Sequence, residues 1–170
     1  MIYDYPLSDL RVGGVFHCKL VRAGRVIDLW DEPNLVVNEG LNHLLDVYFN
    51  GTSPVTTWYL APFEGNYTPV AGDTAATFPA SATECTAYSQ ATRVAYVSAA
   101  AASQNVTNTA SPATFTFNAT KTIYGASLVS VSTKSATTGK LFAAARFSAS
   151  KAVVSSDQLL ITYSFTASST

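Results

Sequence analysis

Few residues in this sequence have the types and spacing that chemistry requires. The densest acidic group is Asp28, Asp31 and Glu32. Paired carboxylates can serve as acid and base in glycoside hydrolysis, but this run ends at Pro33 and reads as a solvated turn at a strand end. His17 and Cys18 are consecutive, so on a strand they point to opposite faces and cannot share a metal. His43 stands alone on a predicted helix. There is no G-x-S-x-G nucleophile elbow, and neither Cys18 nor Cys85 opens a helix that would stabilise its thiolate. Gly13-Gly14 lacks the lysine and the following helix of a phosphate-binding loop. The sequence therefore predicts no catalytic residue, no metal and no cofactor. Glu84 and Arg93 flank a turn-like segment, Ala87 to Ala91. If that segment is a hairpin, the two face each other as an ion pair, either one of structural use or a trivial surface pair.

The elements that would carry these residues are mostly strands. Phe16, Cys18 and Leu20 alternate with Val15, His17, Lys19 and Val21, the period of a half-buried strand. Ala23-Gly24 can turn the chain into a second strand, Arg25 to Trp30, which Asp31 to Asn34 should stop because proline cannot donate to a ladder. Leu35 to Val37 leads into the one clear helix. Asn38 is a suitable N-cap, and Glu39 sits where the helix dipole favours a negative charge. Leu41, Leu44, Leu45, Tyr48 and Phe49 form an i, i+3, i+4, i+7, i+8 stripe, read as a core-facing helix side. Gly51 suits a left-handed C′ position.

Further strands are expected at Val55 to Phe63, Thr92 to Ser98, Pro112 to Asn118, Ile123 to Ser132, Lys140 to Phe147 and Gln158 to Thr166. Glu84 to Ser89 is a weaker one. Ala99 to Ala110 reads as a loop or irregular strand. The connection Glu64 to Ala80, rich in Gly, Pro and Asn, is too long for a hairpin turn, and such connections are commonly functional or bound to something. Eight or nine strands with one short helix predict a single mainly β domain, an antiparallel β-sandwich of jelly-roll-like type. Residues 1–10 read as an extended arm or a short first strand.

Composition narrows the class. Charged residues make up 12% of the 170 residues, against roughly 25% in a typical globular domain. That predicts surface buried in an oligomer or larger assembly, or a monomer coated in Ser, Thr and Asn. A net charge of −1 gives no global attraction to nucleic acid. Two well-separated cysteines do not make a secreted disulfide scaffold and read as buried thiols. The N-terminal residues lack the basic and apolar regions of a signal peptide, and no apolar run reaches the roughly 18 residues of a membrane span.

Three segments carry a resemblance: V-V-N-E-G-L-N-H-L-L-D (Val36 to Asp46), W-Y-L-A-P-F-E-G-N-Y-T-P (Trp58 to Pro69) and T-E-C-T-A-Y-S-Q-A-T-R (Thr83 to Arg93). With S-P-A-T-F-T-F, I-Y-G-A-S-L and T-K-S-A-T-T-G-K-L further on, the chain from Leu35 to its C-terminus resembles small virion proteins of tailed bacteriophages, most closely capsid decoration (cement) proteins. The resemblance implies a non-enzymatic protein, made in the bacterial host cytoplasm and placed on the capsid exterior. There it would stabilise the shell by binding across junctions of the major capsid protein. It would act as a homo-dimer or homo-trimer, without nucleic acid or membrane. Tail, collar and fibre components share the N-x-G-L-N helix start. They imply an alternative, receptor or glycan binding through aromatics such as Tyr67, Tyr88 or Tyr96. The long uncharged segments mark the expected partner contacts: Tyr3 and Tyr5 in the arm, Glu64, Asn66, Tyr67 and Pro69 in the long connection, and Asn105.

Overall fold

The computed structural model describes residues 9–169. The expected contacts Tyr3 and Tyr5 lie outside them. The described chain forms ten strands and two helices, arranged as two five-stranded antiparallel sheets. This is the expected mainly β sandwich, with more strands than expected and an additional short helix.

The first sheet is built on β1 (Leu10–Arg22), paired along its whole length with β10 (Gln158–Ser169) and flanked by β2 (Arg25–Pro33). Phe16, Cys18 and Leu20 oppose Tyr163, Ile161 and Leu159, so the inward faces of both strands coincide and are buried. The far side of β10 is shared by β6 (Asn105–Thr107) and β7 (Ala113–Thr116). In the gap between them the buried Asn108 completes the ladder. Its Nδ2 donates to the Ile161 carbonyl (3.2 Å) and its Oδ1 accepts from the Tyr163 N–H (2.7 Å). Strand β2 runs on to Pro33 rather than stopping at Trp30. It is an edge strand, where a missing N–H leaves no ladder partner unsatisfied.

The second sheet runs β3 (Leu35–Val36), β9 (Leu141–Val153), β8 (Lys121–Val129), β4 (Trp58–Phe63), β5 (Val94–Tyr96). Its inner face, including Leu60, Ala126, Leu128, Ala143 and Ala145, meets the first sheet in the main core. Its outer face is buried too. Phe63, Val129, Leu141 and Ala144 pack beneath Val37, Ala75, Phe78 and Ala82. Burial on both sides explains why Leu141 to Ala145 reads as an unbroken apolar run instead of alternating.

The connection from Glu64 onward, which contains α2 (Phe78–Ser81), supplies that outer layer together with Val37. Helix α1 (Asn38–Phe49) lies on β9 beside the main core, where His43 packs edge-on against Trp58. Asn38 is the first helical residue, not the cap. Val37 holds the cap position and no side chain closes it. Gly51 takes φ +69, as its C′ role requires, and Thr52 N–H donates to the Asp46 carbonyl, 3.1 Å away.

Candidate partner-binding surface

The residues with chemical potential are drawn apart by the fold. Asp28, Asp31 and Glu32 do not form a solvated turn, because all three lie in β2. Asp28 pairs with Lys151 (2.8 Å), Asp31 with His17 (2.8 Å), and Glu32 accepts from the Ser148 N–H (2.7 Å). Each carboxylate therefore has its own structural partner. Cys18 and Cys85 are free and buried. Burial drives the Cys18 thiol far above its ordinary range and pushes Cys85 up to about 11, which leaves both as unreactive apolar groups near neutral pH. Among the described residues, no three His, Cys, Asp or Glu side chains converge as a metal-ligand set.

Glu84 and Arg93 do meet, and in the interior rather than on the surface. Arg93 Nη2 lies 2.6 Å from Glu84 Oε2, with side chains only 1% and 6% exposed. Arg93 Nε donates to the same carboxylate, Nη1 donates to the Val131 carbonyl and Nη2 also to that of Ala136. A buried ion pair is tolerated when such additional bonds satisfy its remaining donors. This one ties the end of the long connection to the segment after β8. Lys134 reinforces the junction. It donates to the Thr86 and Tyr88 carbonyls and lies 3.6 Å over the Tyr88 ring.

The expected contact residues of the long connection are mostly committed to the fold. Glu64 pairs with Lys121 (2.9 Å). Tyr67 packs edge-on against Phe78 and donates its hydroxyl to the buried Asp73 (2.7 Å), which also accepts from Val70 N–H (2.8 Å). That hydrogen bond is the main reason the Tyr67 phenol is held above its ordinary pKa. Asn66 is exposed and accepts from Arg146 Nε (2.8 Å); Pro69 is half-buried. Far from being an unsupported loop, the connection is a folded cover. Asn105 is half-buried in β6, with a buried Oδ1 that has no protein partner. Nor do Tyr67, Tyr88 and Tyr96 form an exposed aromatic platform. Tyr88 is buried against Phe115, and Tyr96 turns its hydroxyl inward toward the Val106 and Tyr163 carbonyls.

The free apolar surface lies instead on α1, where it corrects the expected core stripe. Gly40 and His43 are the buried residues of the helix. Leu41 and Leu44 are half-buried, whereas Leu45, Tyr48 and Phe49 are 50%, 76% and 85% exposed. The cause is Gly40. A Cβ there would run into the Phe142 carbonyl oxygen, so the glycine lets the start of the helix lie directly on β9. Glu39 fixes the same end by accepting from the Ala75 and Leu141 N–H groups (2.8 and 2.7 Å). Seating the helix on the Gly40–His43 side rotates its large side chains outward.

Beside them the sandwich opens. A groove of about 360 Å³ runs between the two sheets and the helix, lined by Tyr48, Trp58, Tyr96, Phe142 and Phe165 among others. Trp58–Phe142 and Phe142–Phe165 are edge-to-face pairs at 5.3 and 5.2 Å. Phe142 is presented there by a bulge: Leu128 opposes Ala143 and Val129 opposes Leu141, leaving Phe142 as the extra residue. None of the buried side-chain polar atoms that lack a partner belongs to a groove residue. The arrangement can therefore hold an apolar or aromatic group by packing, and it has no group placed for acid–base or nucleophilic work. The i, i+4 stripe carries the sequence signal for this surface, whereas the approach of Gly40 to β9 that turns the stripe outward is a tertiary contact with no local pattern. A comparison with protein-family models and with curated proteins gives no match for the chain.

Proposed function

We propose that this chain is a structural virion protein of a tailed bacteriophage, one that decorates the capsid exterior and stabilises the shell by binding across junctions of the major capsid protein. The observation that carries the reading is the contrast between committed polar groups and an uncommitted apolar face. The acidic cluster and the buried Glu84–Arg93 pair are used up in holding the sandwich together, while three large side chains of α1 stand in solvent beside an aromatic groove. Soluble monomers rarely leave such a patch unpartnered. A rigid sandwich with few charges suits a protein whose work is to add buried area between neighbours. The resemblance of Val36 to Asp46 and of the later segments supplies the phage assignment and the major capsid protein as partner, with copies of this chain as the second partner.

The test is a copy count on purified particles of the phage that encodes this chain. Decoration predicts a number near-stoichiometric with the shell protein, and particles stripped of this chain that rupture at lower temperature. A handful of copies per particle would overturn the capsid reading and point to a tail, collar or fibre part.

A further inference from the structure

We propose that Asn50, at the C-terminal end of α1, is a site of spontaneous covalent modification, losing its side-chain amide through attack by the Gly51 nitrogen. The products are aspartate and isoaspartate at position 50. The inference goes beyond the assembly reading above and does not depend on it. The chemistry is intramolecular. Hydroxide takes the proton of the Gly51 amide, and the nitrogen attacks Asn50 Cγ. A new N–Cγ bond closes a succinimide ring as the Cγ–Nδ2 bond breaks, and Nδ2 leaves as ammonia after taking a proton from water, which regenerates the hydroxide. A water molecule then opens the ring. Breaking the N–Cγ bond gives aspartate; breaking the bond to the main-chain carbonyl gives isoaspartate, whose chain runs through the side-chain carbons. The net change is water taken up and ammonia released, with no oxidant or co-reactant.

Sequence and structure single out the same bond. Every other asparagine is followed by a residue whose Cβ obstructs the attacking nitrogen, whereas Asn50 is followed by glycine. The place where a Gly51 Cβ would stand has nothing within 4 Å. Residues 50–54 are all exposed, and the Gly51 N–H has no hydrogen-bond partner among the described residues. Ring closure requires the peptide after Asn50 to rotate away from its present ψ of 12°. Only two bonds restrain it, from the Asn50 N–H (3.0 Å) and the Thr52 N–H (3.1 Å), and both end on the one Asp46 carbonyl. Fraying of a helix end is among the least costly openings of a fold. Asn108 is the opposite case, fully buried with both atoms of its amide bonded to β10.

The product alters the helix end. A carboxylate at position 50 stands at the negative end of the helix dipole. It also replaces the weak Asn50 Nδ2 contact to Asp46 Oδ1 (3.5 Å) with a like-charge pair at i, i+4, which opposes the helix. Isoaspartate lengthens the main chain between this position and Gly51, and so shifts the Thr52 N–H away from the Asp46 carbonyl. Both changes loosen the turn that carries Tyr48 and Phe49, so the exposed end of α1 changes with the age of the molecule.

The experiment ages the folded full chain at neutral and mildly alkaline pH and follows each asparagine by peptide mass spectrometry, with fragmentation that separates isoaspartate from aspartate. Asn50 should be modified ahead of every other asparagine, at a rate that rises in proportion to hydroxide, and should yield both products. Gly51→Ala should slow the loss to the pace of the other asparagines. Alanine is strained at the Gly51 φ of +69°, so that variant is read only with a native circular dichroism melt; without one, the pH dependence and the isoaspartate of the natural chain decide. Asn50→Asp, which installs one product directly, should speed hydrogen exchange at the Thr52 amide. An Asn50 that outlasts the other asparagines would overturn the proposal. So would aspartate as the sole product, which direct hydrolysis gives without a ring, or a folded Gly51→Ala chain that loses the amide as fast as the natural one. Unchanged exchange at Thr52 would overturn the loosening of the helix end.

Discussion

Two segments pack against the second sheet, and they do it in opposite ways. The connection from Glu64 to Glu84 has no hydrophobic period and is rich in turn formers, yet Ala75, Phe78 and Ala82 are buried and Tyr67 and Asp73 are locked to one another. Helix α1 has a clear apolar stripe, yet its last two large side chains are mostly in solvent. Periodicity sets the local conformation of a segment. Which face then meets the sheet is decided by close approach, and at Gly40 only a missing Cβ allows that approach. The irregular segment is therefore fold, and half of the regular one is surface.

The strongest way to break this contrast is to release the end of the cover. Arg93→Ala leaves the Glu84 carboxylate buried without its partner, which should lower unfolding free energy by about 3–5 kcal/mol. A urea titration that moves the midpoint only slightly would show that the cover is not held there. Next in size is Gly40→Ala. Helix propensity alone favours it by about 1 kcal/mol, but the new Cβ meets the Phe142 carbonyl, and overpacking of this kind costs about 1–3 kcal/mol. A net loss of stability, read by thermal melting, is expected; a gain would mean that the helix does not rest on β9 as described.

These positions also mark what the sequence made legible. The β1–β2 hairpin, the Phe115/Phe117 strand and the inward face of β10 follow from period-2 alternation, because each has one wet and one dry side. The outer cover does not, because its burial comes from tertiary contact, with Phe78 packing on Phe63 and Tyr67 on Phe78. Helix α2 is four residues with a proline near its start, too short to leave a period. The Glu84–Arg93 pairing was legible from its spacing, but its burial was not. Nor was the dispersal of Asp28, Asp31 and Glu32, which depends on β9 passing on one side of β2 and His17 of β1 lying on the other. The aromatic groove is assembled from α1, β4, β5, β6, β8, β9 and β10, and no local pattern joins them.

A smaller effect separates the acid response of the framework from that of the surface. The hydrogen bond from Arg22 (2.7 Å) holds the Asp157 carboxyl below the usual carboxylate range, with Val154 N–H assisting against the opposing effect of burial. A depressed carboxyl stabilises the fold above its unfolded pKa of about 3.9, and that contribution is lost as pH falls below this value through the folded pKa. Asp157→Asn should therefore flatten the acid limb of the melting-temperature profile and lower the plateau near neutrality. An unchanged acid limb would show that this pair does not report on folding. Phe49→Asp should leave the limb's shape as it is when read at concentrations where the chain is monomeric.

The most direct test of the inversion is a pair of urea unfolding curves, Phe78→Ala against Phe49→Ala, taken at low protein concentration so that association does not contribute. Phe78→Ala empties a buried site and should cost about 3–5 kcal/mol. Phe49→Ala trims an exposed side chain and should stay within about 0.5 kcal/mol of the natural sequence. A large loss at Phe49 with little at Phe78 would contradict the account, restoring the helix stripe to the core and the long connection to the surface.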